Sequence, residues 1–132
     1  MTTNKEYAAR RKDLMSQMHK NSIAIISSAP EKIRSRDTHY PYKQNVNLSY
    51  LCGFPEPESV LVLIPGRENG ETVLFCRDKD PLRETWDGYR EGPDGAVKNF
   101  GADDAFPISD IDDILPNLIE GKDRLYYAIG KD

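Results

Sequence analysis

The sequence predicts an α/β domain built on a mixed β-sheet flanked by helices, and three observations carry that expectation. Short β-branched runs recur at 22–28, 59–65, 72–77 and 124–129, and each reads as a strand. Amphipathic stretches near both ends read as helices, and the two kinds of element alternate along the chain, the pattern of a sheet with helices packed on it. The 132 residues, 38% hydrophobic and 30% charged, fit one domain with enough apolar surface to offset the entropy of ordering.

Thr3 and Glu6 have the spacing of a capping box, so a helix is expected over 4–19. Tyr7, Leu14, Met15 and Met18 share one face of it, and Arg10, Lys12, Asp13 and Gln17 lie largely on the other. SIAIISS, 22–28, follows as a buried strand. Residues 48–54 and 59–65 are expected as neighbouring strands joined by Pro55-Glu56-Pro57-Glu58, whose prolines fix φ and withhold two amide donors. Asn69-Gly70 tolerates positive φ at both positions, which predicts a hairpin turn and an antiparallel return over 72–77.

From 78 to 95 the chain reads DKDPLRETWDGYREGPDG, charged and glycine-rich, with one helical turn beginning at Pro81. That length of weakly ordered chain is either functional or mobile. A short helix over 96–100 and a strand over 105–108 lead to Ser109 and Asp112, a second capping-box spacing. The helix that starts there carries the stripe Ile111, Ile114, Leu115, Leu118 and Ile119, is kinked by Pro116 and is stopped by Gly121. The alternation ends directly after the strand at 124–129, so the native chain is expected to continue past Asp132.

Several function classes are excluded. A net charge of -4 repels polyphosphates, which sets nucleic acid aside, and the cluster Lys32, Arg34, Arg36 and Lys43 reads as a solvated loop. No apolar run approaches the roughly 18 residues of a membrane span. The charged N-terminus lacks a secretory leader, so a cytoplasmic location is expected, with Cys52 and Cys76 as free buried thiols. Two histidines, no HExxH and no CxxC leave no metal-ligand pattern, and Asp110, Asp112 and Asp113 read as a charged helix start rather than a calcium loop. There is no G-x-S-x-G elbow, and Gly88, Gly92 and Gly95 lack the spacing of a phosphate loop.

Two places remain. Trp86, the single tryptophan, lies among charges in RETWDGYRE, where it is either a contact residue or folded back onto the domain. Asp37, His39, Tyr40, Tyr42, Gln44 and Asn45 either line a polar pocket or brace a long loop.

The ordered run RSRDTHYPYKQN, NLSYLCGFPEPES and VLVL, residues 34–63, closely resembles the N-terminal domain of bacterial Xaa-Pro aminopeptidases (aminopeptidase P), of the creatinase and prolidase superfamily. YAARRKDLMSQM and TVLFCRDKDPLRETWDGYREGPDGA extend the resemblance over essentially the whole chain. It implies a ribonuclease-H-like mixed sheet with helices, and a parent enzyme that removes the residue preceding a proline in second position. The chemistry of such an enzyme belongs to a following pita-bread domain with two manganese ions, absent from residues 1–132, so the isolated chain is expected to be inactive. No catalytic or metal-binding residue is expected here. Implied partners are that catalytic domain, a proline-containing peptide, and further copies in a dimer or tetramer. Trp86 matches a tryptophan that reaches toward a neighbouring active site, and Asp37 an acid at the mouth of the site. Two alternatives stay open: a stand-alone interaction module of the same fold, and the N-terminal domain of a prolidase acting on dipeptides.

Overall fold

The computed structural model describes residues 3–28 and 48–129. Helix α1 (Asn4–Ser16) is followed by strand β1 (Ser22–Ser27), helix α2 (Leu48–Cys52), and strands β2 (Val60–Leu63) and β3 (Thr72–Cys76). Helices α3 (Pro81–Asp87) and α4 (Gly92–Phe100), strand β4 (Asp104–Pro107), helix α5 (Ile111–Ile119) and strand β5 (Arg124–Ile129) complete it. The five strands form one sheet in the order β4-β3-β2-β1-β5, antiparallel at β1/β2 and β2/β3 and parallel at β1/β5 and β3/β4. This is the expected mixed α/β architecture.

The period-two alternation of the central strands sends apolar side chains to both faces. Ala24, Ile26, Leu61, Leu63, Leu74 and Cys76 pack with Leu14 of α1, Leu51 and Cys52 of α2 and Ala96 of α4. On the opposite face Ile23, Val62, Ile64, Val73 and Phe75 meet the stripe of α5. The capping box of α1 forms, with the Thr3 hydroxyl accepting from the Glu6 amide and the Glu6 carboxylate accepting from the Thr3 amide. Arg11, which the sequence pattern leaves unassigned, is buried and donates from Nη1 to the Leu51 carbonyl at 2.9 Å, tying α1 to α2.

Five sequence expectations are corrected. Residues 48–52 are helical, because Leu48, Leu51 and Cys52 bury one helical face, and Gly53 at φ 71° ends the helix. Pro55 to Glu58 therefore links a helix to β2 and does not join two adjacent strands. The β2/β3 hairpin closes through two successive turns, Arg67 N–H to Ile64 C=O and Gly70 N–H to Arg67 C=O; positive φ falls at Gly66 and Gly70 and not at Asn69. At Ser109 no side-chain cap forms, since a 3-10 turn over Ile108–Asp110 already engages the Ile111 amide. Helix α1 ends at Ser16, three residues early, and α5 runs through Pro116 to Ile119.

Gly53 is also a packing site: a Cβ there would lie 2.5 Å from the Tyr7 ring. Gly53→Ala should cost about 1–3 kcal/mol in urea unfolding, and less in a Tyr7→Ala background, where the clash is gone and only the φ strain remains. Both cysteines are free and buried. Burial pushes the Cys52 thiol up to about 11 and, reinforced by the Glu56 and Asp78 carboxylates, that of Cys76 up to about 12. Folded values above the ordinary thiol value of 9.0 mean that this contribution to stability is intact below it and is lost as pH rises toward them. A thiol reagent at neutral pH should modify neither cysteine in the folded chain and both in urea.

Candidate functional site

Strands β1, β3, β4 and β5 run in one direction and β2 in the other. The carboxyl ends of four strands and the start of β2 therefore share one end of the sheet. Ser28 leaves β1 there, and its amide donates to the Ser59 carbonyl at 2.9 Å at the entry to β2. The chain also leaves β3 there, enters α3, and returns to the sheet through α4.

The segment between β3 and α4 is ordered. Asp80 caps α3 by accepting from the Arg83 amide at 3.2 Å, and Pro81 occupies the first turn, where no amide donor is required. The Glu84 carboxylate accepts from three groups: Lys79 Nζ and the Arg90 amide on Oε1, both at 3.0 Å, and the Asp80 amide on Oε2 at 3.3 Å. Lys79 Nζ also donates to the Arg90 carbonyl at 2.7 Å and lies 4.1 Å from the centre of the Tyr89 ring. One step nearer the sheet, Glu56 accepts from Arg77 Nη2 at 3.3 Å on Oε1 and from the Glu91 amide at 2.7 Å on Oε2. Both sides of the excursion are thus bridged, making it a closed arm.

The arm exposes three large apolar or aromatic side chains beside the polar Arg83 and Thr85. Leu82 and Trp86, one helical turn apart and hence side by side, are 74% and 82% exposed, and Tyr89 is 66% exposed. Of the two alternatives for Trp86, folding back onto the domain is overturned: it projects into solvent. A tryptophan so placed offers a large flat contact surface and an indole donor to whatever approaches.

Asp37 lies outside the described residues, as do His39, Tyr40, Tyr42, Gln44, Asn45 and the basic cluster Lys32, Arg34, Arg36 and Lys43. Asp112 and Asp113 lie in the first turn of α5, where carboxylates suit the helix dipole. Among the described residues no group of three or more His, Cys, Asp or Glu could hold a metal ion, so these residues do not fit the implied metal pair. No helix among them is long and apolar enough to cross a membrane. The bracing roles of Glu56 and Glu84 escaped sequence reading. Asp80-Pro81 is a legible helix start, but no local period signals a glutamate that bonds residues on the far side of a loop.

The sequence profile of the family described as "Aminopeptidase P, N-terminal domain" matches residues 7–126. The chain belongs to that family. It is 42% identical to the Xaa-Pro aminopeptidase of Escherichia coli over 130 residues, spanning 98% of this chain and 30% of that protein. It is 37% identical to human Xaa-Pro aminopeptidase 3, over 92% of this chain and 26% of that protein. Among solved structures, Pseudomonas aeruginosa aminopeptidase PepP superposes with a TM-score of 0.84 at 62% identity, covering 99% of this chain and 30% of that one. The low-pH form of E. coli aminopeptidase P gives 0.80 at 42% identity, over 96% of this chain and 29% of that one. The chain thus spans about a third of these relatives and corresponds to their N-terminal domain.

Three hydrogen bonds lower the Glu84 pKa, that from the Arg90 amide most and that from Lys79 next. With the folded value below the unfolded one, the bracing is complete above the ordinary glutamate range and is lost as pH falls through the lowered value. Emission from the single tryptophan should therefore stay constant from neutral pH down through the ordinary glutamate range and change only in stronger acid. A change centred at the ordinary value would show Glu84 to be unbraced.

Proposed function

We propose that this domain is the noncatalytic N-terminal part of an Xaa-Pro aminopeptidase, in which the α3 arm walls the opening of an active site built by a following catalytic domain. The observation that carries the proposal is Trp86: a braced, 82% exposed aromatic at the carboxyl end of the sheet. The end of β5 lies at that same end, paired in register with β1 and separated from β3 by β2 and β1, so chain running on from β5 would leave the sheet from the same end as the arm. An indole carried there on a braced helix can stack on a proline ring or an apolar side chain with less ordering cost at binding.

In this reading the hydrolytic chemistry, and the metal pair that serves it, expected to be manganese, belong to the following domain. This domain contributes shape: it narrows the opening toward extended Xaa-Pro peptides and offers an apolar surface for homo-oligomer assembly in the cytoplasm. Asp37 is proposed as a second residue of the opening, a carboxylate able to pair with a cation of the catalytic domain.

In the full-length enzyme Trp86→Ala should raise KM about 2- to 12-fold, the equivalent of about 0.5–1.5 kcal/mol of aromatic contact, or shift the oligomer toward smaller species, with metal content unchanged. Steady-state kinetics on Xaa-Pro-Yaa peptides and light scattering read the two outcomes. Wild-type KM together with wild-type assembly would remove Trp86 from the opening. Parallel assays with Xaa-Pro dipeptides separate this activity from a dipeptidase.

A further inference from the structure

Helix α3 has only seven residues and none of its described side chains is buried, whereas isolated helices shorter than about 12 residues are marginal in water. Neither its length nor its packing accounts for its order. What does is the set of polar ties across its base, and these are unevenly distributed. Asp80 accepts one amide within its own turn. Glu84 joins residues that precede the helix, Lys79 and Asp80, to one that follows it, Arg90, and is the acceptor shared by three of the bonds there; Lys79 Nζ to the Arg90 carbonyl and Arg90 Nη1 to the Asp78 carbonyl span the same base. Its two oxygens take three donors, two of them backbone amides ten residues apart in the chain, and its side chain is only 15% exposed.

The Glu56 tie lies below this one and fixes the roots of the arm, Arg77 and Glu91, to the linker before β2. It holds the base and leaves the eleven residues of the segment 79–89 to the upper ties, of which Glu84 accepts three. Arg77 Nη2 meets Glu56, and no partner for Arg77 Nε is present among the described residues, so the root is anchored through a single carboxylate.

We propose that Glu84 is a positioning residue, a carboxylate staple that holds the α3 arm as a fixed wall and so sets where Leu82 and Trp86 stand relative to the opening. The role of the wall rests on the function proposed above; the staple itself rests on the bonds just described. Because charge-assisted bonds from backbone amides are roughly twice as strong as neutral ones, removing the carboxylate loosens the arm without touching Leu82 or Trp86, leaving only the Lys79–Arg90 and Arg90–Asp78 bonds across its base. An aromatic contact that must first be ordered binds more weakly than one already in place.

The chain has one tryptophan, so its fluorescence reports on the arm alone. In Glu84→Ala we expect the nanosecond component of the Trp86 anisotropy decay to grow at least about two-fold in amplitude. The Gly88 amide, which donates to the Glu84 carbonyl only while α3 is formed, should exchange at least about ten-fold faster. Far-UV circular dichroism should remain that of the folded domain. Glu84→Gln, which keeps one acceptor oxygen, should fall between. In the full-length enzyme Glu84→Ala should raise KM by no more than Trp86→Ala does, with kcat retained, and should have no further effect once Trp86 is alanine. Unchanged anisotropy and exchange would overturn the staple even if Trp86 proves essential. Loss of the domain's circular dichroism would overturn it too, by showing that Glu84 supports the fold rather than the arm. Conversely, a loosened arm with no kinetic role for Trp86 would leave the staple standing and remove the wall.

Discussion

Three central strands that bury apolar side chains on both faces govern everything else in this domain. Ile23 to Ile26, Leu61 to Ile64 and Val73 to Cys76 are all buried, so neither face of the sheet can meet water. Helices must cover both faces, and α1, α2 and α4 take one while α5 takes the other. Removing several such side chains from water stabilises the fold by about 1.5–3 kcal/mol each, before entropy is subtracted. Polar and charged segments are left with the ends of the sheet.

Topology then decides which end of the sheet gathers the loops. Because four strands run in one direction, the end of β1, the linker before β2, the arm after β3 and the end of β5 all lie at one end. Loops at the carboxyl ends of strands in α/β sheets are a common place for binding, since the rigid sheet fixes where they start. Here the rigidity extends into the loop itself. Glu56 and Glu84 convert a charged, glycine-rich excursion into an arm of fixed shape, and its apolar surface is displayed rather than buried.

Among the described residues no metal-ligating group assembles, and both thiols are buried and hard to ionise. What the domain offers is a shaped, exposed aromatic surface held at a known place. Relatives about three times as long share this domain at their N-terminal end, and the proposed role in adjusting access to another domain's site would use that surface.

The sequence by itself determined the elements whose signals are local. The capping box at Thr3 and Glu6, the strands from 22, 60, 72 and 124, the hairpin, the amphipathic stripe of α5 and the membership of the family are all legible in residues close together in the chain. Trp86 stood out for the same reason, an aromatic among charges. Only the tertiary structure decided that residues 48–52 form a helix, because a five-residue apolar run has no period long enough to tell helix from strand, and the contact with α1 chose. Only the tertiary structure closed the arm. Glu56 reaches Arg77 and Glu91, 21 and 35 residues away, and such pairings come from chain reversal at the end of the sheet, which no local pattern encodes.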